Sequence, residues 1–374
     1  MKASDFDQIF DNGESVLEHL DLSQARRPSI EPAAHGALDF AELERLGLRP
    51  EDVLDFSVNS NPFGPSPKVW DAIRQTPLER YPDRESLALR RELSQRLDVS
   101  PAQIVVGNGT AELIQLAALA FLSKGDSALI TEPTFGEYER AVRLMDGNVR
   151  RWRAVPETGF AFRPDEIQKR LENVRMAFLC NPNNPTGQVL PLETLDEWAK
   201  DFPNTLFVVD EAYLAFVPDM KSAVTLRRKN ILTLRSMTKD YALAGLRLGY
   251  AAGDEAVIQA IVNLRPAWNV NALAQAAGLA ALQDEVHQRE TLTQLRSETQ
   301  KLVEGLRRLG FNPVPSRTHY FLLPVASGAD FRQKLLAQGV LVRDCASFGL
   351  PAYVRLATRM AEENARLLRA LASS

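Results

Sequence analysis

Lys239 stands three residues after Ser236 and eight before Arg247. It follows the apolar run Ile231-Leu232-Thr233-Leu234, so it comes where a buried strand ends. An amine at such a place, with hydroxyls and a guanidinium beside it and little water, gives up its proton readily and can attack an aldehyde. Open α/β sheets gather their ligands at the same strand ends. The ordinary alternative for any lysine is a solvated charge. The rest of the chain argues against it here.

Other chemistry-bearing residues also follow strand-like runs. Ile104-Val105-Val106 leads into Gly107-Asn108-Gly109-Thr110-Ala111-Glu112 and then the helical stretch from Leu113 to Phe121. A glycine turn feeding a helix leaves backbone N–H groups pointing outward, a ready phosphate site, although many such turns need glycine for backbone reasons alone. Ser127-Ala128-Leu129-Ile130 ends near Phe135, an aromatic platform or simply core. Met176 to Cys180 runs into Asn181-Pro182-Asn183-Asn184-Pro185-Thr186-Gly187, a rigid loop with more amide than a turn requires. Leu206-Phe207-Val208-Val209 delivers Asp210 and Tyr213, and a carboxylate there needs a cationic or protonated partner. Asp55 to Pro65 reads as a strand entering a polar Ser/Asn loop.

Strands near residues 104, 127, 176, 206, 231 and 248 alternate with helical segments, which predicts an α/β fold with a mostly parallel sheet and helices on both faces. A helix is expected from Arg80-Tyr81-Pro82-Asp83 through Leu97, and a long helical region from Asp254 to Leu309, interrupted at 265–271. Residues 310–374 read as an α+β unit with strands at Tyr320–Leu323, Val340–Arg343 and Tyr353–Thr358 and helices at Asp330–Gln338 and Glu362–Leu371. The expected organisation is a mobile arm over 1–34, a large domain over 35–275 whose first part packs with the small domain, and a small C-terminal domain over 276–374.

With 48 acidic and 44 basic residues the net charge is −4, which favours neither nucleic acid nor an anionic membrane as partner. No apolar run reaches about 18 residues and the N-terminus has no basic-then-apolar signal, so a cytoplasmic protein is expected. Two cysteines and four scattered histidines offer neither a disulfide framework nor metal-ligand spacing.

In combination and order, the glycine turn, aromatic, Asn loop, strand-end Asp and Tyr, and Ser/Lys/Arg cluster resemble the fold-type-I enzymes that use pyridoxal 5′-phosphate, the aspartate-aminotransferase superfamily. The resemblance covers about residues 35–374. It implies a seven-stranded-type sheet in the large domain and a homodimer with shared active sites. It also implies that Lys239 carries the cofactor on its amine and moves the substrate proton, while Asp210 keeps the pyridine nitrogen protonated. By the same resemblance Tyr213 and Asn184 face the phenolic oxygen and Phe135 stacks on the ring. Thr110, Ala111, Ser236 and Arg247 hold the phosphate, Tyr81 reaches the cofactor phosphate of the other subunit, and Arg355 takes the substrate carboxylate.

Two sister groups are the most similar, histidinol-phosphate aminotransferase and threonine-phosphate decarboxylase of cobalamin synthesis. His35-Gly36, Leu54 to Pro62, Pro266 to Asn271, Leu341 to Cys345 and Arg355 to Arg359 lean to the decarboxylase. That resemblance places His35, Asn59 and Arg343 near a small phosphorylated amino substrate, with Ala37 departing from the usual His-Gly-Gly. The expected function is therefore threonine-phosphate decarboxylation, with histidinol-phosphate or another class I/II transamination as the alternative. The torsion about the substrate carbon, which decides between them, is not written in the sequence. A remote third reading is a regulator that binds the cofactor without catalysis, but an arm of 34 residues, acidic in character, does not make a DNA-binding domain. Within that arm, Phe6, Asp11 to Glu14, Leu20 to Leu22 and Ala25 to Pro28 are loosely similar to the start of short antitoxins.

Overall fold

Met176–Cys180 and Leu206–Asp210 are buried at every position, as befits strands covered on both faces. In the computed structural model, which describes residues 8, 9, 11, 12 and 36–372, they lie at the middle of a seven-stranded sheet. The chain falls into two compact units, Met1–Glu31 and Pro32–Ser374. Apart from the four residues named, the arm expected over 1–34 lies outside the described residues, as does His35.

In chain order the strands are β1 (Leu54–Asp55), β2 (Ile104–Gly107), β3 (Ser127–Glu132), β4 (Asn148–Arg153), β5 (Met176–Cys180), β6 (Leu206–Asp210), β7 (Ile231–Ser236), β8 (Gly249–Gly253), β9 (Tyr320–Pro324), β10 (Val340–Leu341), β11 (Arg343–Asp344) and β12 (Tyr353–Ala357). The large sheet has the order β2-β8-β7-β6-β5-β3-β4, and only β8 runs against the others. Edge strand β4 escapes the hydrophobic pattern because it reads Asn-Val-Arg-Arg-Trp-Arg. Its arginines keep the open edge soluble, and Arg151 pairs with Glu132 and Glu139.

Helices Gly109–Phe121 and Glu255–Leu264 pack on one face around Val105, Ile130 and Phe178. On the other face Leu195 and Trp198 of Leu192–Asp201 pack with Phe207 and Val209. Each fully buried Phe or Leu of these layers contributes roughly 1.5–3 kcal/mol. A second sheet, β11-β12-β9, packs against Glu285–Arg308 and Ala361–Ala372 around Phe321, Leu356 and Leu367.

Several boundaries differ from expectation. The helix expected from residue 80 begins at Leu87, because Ser86 sits at φ 47 and the Asp83 carboxylate accepts the Leu87 N–H at 2.6 Å, closing a turn first. The helix after the glycine turn starts four residues earlier than Leu113, at Gly109. The strand expected over Val340–Arg343 is two: β10 pairs in parallel with β1, while β11 pairs with β12.

Candidate active site

Register places the chemistry. Cys180, Asp210 and Leu234 lie abreast on β5, β6 and β7. Gly249 at the start of β8 pairs with both Gly107 and Ser236, so the glycine turn and the serine meet across it. A cavity of about 350 Å³ opens at these strand ends. Thr110, Ala111, Phe135, Asn184, Asp210, Tyr213, Ser236, Lys239 and Arg247 all line it, and so do Asn59, Arg343 and Arg355.

The Lys239 ammonium lies 5.9 Å from the Tyr213 ring centroid. Burial pulls its pKa down to about 8, helped by the cations Arg355 and Arg247 and opposed by Asp210. Buried Asp210 accepts from the Tyr138 hydroxyl at 2.8 Å and from the Ala212 N–H at 3.0 Å. Burial pushes its carboxyl up, while these two donors and the charge on Lys239 hold it back toward the ionised form.

Arg355 is buried and clamped. One guanidinium nitrogen donates to the Asn184 side-chain oxygen, another to the Ser57 carbonyl at 2.5 Å. Its buried Nε has no hydrogen-bond partner among the described residues. Asn59 donates to the Tyr213 hydroxyl at 3.5 Å, and its own Oδ1 is buried without a hydrogen-bond partner among the described residues. Arg343 lies 5.5 Å from the Phe348 ring centroid and donates to Ser347 Oγ at 2.6 Å.

The glycine turn is built for close approach. Gly109 has φ 76, and a Cβ there would sit 2.8 Å from an Arg247 guanidinium nitrogen. A Cβ on Gly249 would come within 2.9 Å of the Thr110 backbone nitrogen. The Ser236 hydroxyl lies 2.7 Å from that of Thr238. Helix N–H groups, two hydroxyls and a guanidinium thus converge where a phosphate would sit.

Tyr81 does not line this cavity. It stands exposed, stacked on Trp268 with ring centroids 4.6 Å apart. His35 lies outside the described residues, but Gly36 lines the cavity, and a Cβ there would fall 2.4 Å from the Ser57 carbonyl oxygen. Ala37, the departure noted in sequence, takes φ 125, a conformation that favours glycine, and donates its N–H to Ser57 Oγ at 2.9 Å. Sequence reasoning missed Tyr138 and Ser57 as site residues. The signal for Tyr138 was the unmet need of Asp210 for a protonated partner.

The family sequence model of aminotransferase class I and II matches residues 51–371. The chain belongs to this family. It is 34% identical to histidinol-phosphate aminotransferase of Methylobacillus flagellatus over 88% of this chain and 91% of that one. Among solved structures, histidinol-phosphate aminotransferase from Sinorhizobium meliloti in complex with pyridoxal-5′-phosphate shares the fold, with a TM-score of 0.82, 24% identity, and 93% of this chain and 98% of that chain covered. L-threonine-O-3-phosphate decarboxylase from Porphyromonas gingivalis gives a TM-score of 0.76 at 28% identity over 85% and 98% of the two chains.

Class I and II aminotransferases work with pyridoxal 5′-phosphate, and this chain is an enzyme of that kind. The residues present fit the cofactor: a glycine turn with no room for side chains at Gly109 and Gly249, an amine of lowered pKa, and a buried carboxylate lining the same cavity.

Proposed function

We propose that this aminotransferase-family enzyme moves an amino group from a small phosphorylated amino compound, histidinol phosphate before others, to a 2-oxo acid. The observation that carries the reading is buried Arg355, clamped by Asn184 and Ser57 in the same cavity as Lys239. A planar guanidinium accepts a phosphate or a carboxylate in the same fork, so one residue serves an amino donor bearing phosphate and an oxo acid bearing carboxylate. Arg343 adds a second cation for a dianionic group. The similarity to a curated histidinol-phosphate aminotransferase over most of both chains favours transamination above the decarboxylation expected from short motifs.

When bound, the cofactor supplies an aldehyde and a ring that draws negative charge from the substrate carbon. Lys239 would hold it through its amine and, once that amine is free, its Nζ would move the proton at the substrate carbon that bears the amino group. Asp210, which accepts from the Tyr138 hydroxyl, would hold the protonated ring nitrogen. Tyr213 and Asn184 would hold the phenolic oxygen, Phe135 would cover the ring, and Thr110, Ala111, Ser236 and Arg247 would hold the phosphate. Asn59 and Arg343, which line the cavity, would face the substrate. In this reading the enzyme is a cytoplasmic homodimer in which Tyr81 completes the partner's site, with a large domain over 35–275 and a small one over 276–374.

The test supplies purified, cofactor-loaded enzyme with histidinol phosphate and 2-oxoglutarate, and separately with L-threonine O-3-phosphate alone. Glutamate formation in the first mixture, absent in Lys239→Ala, is the expected result. Sustained release of carbon dioxide in the second, without amino transfer in the first, would return the reading to the decarboxylase, which the likeness to the Porphyromonas gingivalis enzyme keeps in view.

A further inference from the structure

The glycine turn that opens the phosphate cradle is held from behind by an acid. Glu112 Oε2 accepts the backbone N–H of Asn108 at 2.6 Å and the side-chain amide of Asn269, also at 2.6 Å. The same Asn269 amide lies 3.4 Å from the Val106 carbonyl, at the end of β2. Glu112 therefore ties three points together: the last strand residues, the turn at Asn108, and the loop that follows Glu255–Leu264. That loop is itself anchored, because Arg265 donates to the Arg84 carbonyl at 3.1 Å and Trp268 stacks on Tyr81. Space behind the turn is already closed, since a Cβ on Gly107 would fall 3.1 Å from Glu112 Oε2 and 2.6 Å from Leu113 Cγ.

A carboxylate one turn from a bound phosphate repels it, so attraction does not explain an acid at this place. Its two hydrogen bonds do. They fix the orientation of the peptide groups from Asn108 onward, and preorganised N–H donors hold an anion better than donors that must first be ordered.

We propose that Glu112 is a positioning residue for the cofactor's phosphate, clamping the turn at Asn108 to Asn269 so that the N–H groups of Gly109, Thr110 and Ala111 converge on one point. This rests on reading Thr110 and Ala111 as the phosphate cradle.

The full-length enzyme, stripped of cofactor, is titrated by absorbance with pyridoxal 5′-phosphate and, separately, with phosphate-free pyridoxal. The readout is the ratio of the two affinities, which a general loss of structure would leave unchanged. Glu112→Ala is expected to lower the preference for the phosphorylated form about tenfold, the size of effect of one or two lost hydrogen bonds. Glu112→Gln keeps an oxygen acceptor without the charge and is expected to retain the preference. An unchanged ratio in Glu112→Ala, or a fall in Glu112→Gln as large as in Glu112→Ala, overturns the proposal. Should Glu112→Ala not fold, Asn269→Ala removes only the outer anchor and is expected to lower the ratio about threefold; an unchanged ratio there counts equally against it. A wild-type enzyme with no preference for the phosphorylated form would instead bring down the cradle reading itself.

Discussion

Tyr138 donates its hydroxyl proton to Asp210 at 2.8 Å, and both side chains are buried at the floor of the cavity. The phenol is fixed by stacking on Phe178, with centroids 5.1 Å apart and planes 11° from parallel, so the hydrogen bond is aimed by core packing. Burial at the end of an apolar strand pushes this carboxyl up, and the Tyr138 hydroxyl, the Ala212 N–H and the charge of Lys239 oppose the rise.

Tyr138→Phe keeps the ring and removes the donor. The Asp210 carboxyl then rises further above its ordinary range, since burial is left with less to oppose it. Turnover is expected to fall at least ~10-fold, with the acid limb of the kcat profile moved to higher pH. A pH–rate series on both proteins checks this, and superimposable profiles would contradict it.

The Lys239 amine is expected to react with pyridoxal in cofactor-free enzyme with a half-maximal rate near pH 8, because burial lowers its pKa to about 8. Below that pH the amine is protonated and cannot attack; above it the rate levels off. Arg355→Leu removes the larger of the two neighbouring cations and moves the midpoint upward, toward the value of a free lysine. A wild-type rate still climbing at pH 10 would refute the buried-amine account.

Gly249→Ala forces a methyl to within 2.9 Å of the Thr110 nitrogen and 3.1 Å of the Arg235 carbonyl, both backbone. Neither can move without displacing a strand or the start of Gly109–Phe121. The expected result is a loss of about 1–3 kcal/mol in urea denaturation together with weaker binding of pyridoxal 5′-phosphate. Unchanged binding would mean that the cradle tolerates displacement.

His319 is buried with its ring 4.0 Å from that of Phe216. Burial and the cations Arg355 and Lys239 lower its pKa from the ordinary 6.5 to about 3, against the pull of the Asn59 backbone. Between those values the unfolded chain binds a proton that the folded one refuses, so stability falls as pH drops from 6.5. At pH 5 this amounts to about 2 kcal/mol. Asp240, pushed up to about 6 by burial, works in the opposite sense between 3.8 and 6, so a variant is needed to isolate the histidine. His319→Leu should lose less stability than wild type between pH 7 and pH 5 when urea midpoints are compared. Equal losses would show that the ring carries no such linkage.

The buried strands were legible because a strand covered on both faces must be apolar throughout, as β5 and β6 are. Strand β4 was not, because an edge strand bearing three arginines has no such pattern. Lys239, Asp210 and the glycine turn could be found locally, each being a polar or flexible break directly after an apolar run. Tyr138 could not, since its donor role exists only when β3 and the helix Glu137–Leu144 bring it beside a residue 72 positions later.

The sequence by itself determined where apolar runs end and which polar residues directly follow them, because periodicity and breaks are properties of neighbouring residues. Strand order decided the rest. Only the tertiary structure sets Arg355 against Asn184, 171 residues away, and pairs Gly249 with both Gly107 and Ser236. Hydrogen-bonded register between distant segments converts a list of strand ends into one cavity, and no local pattern encodes it.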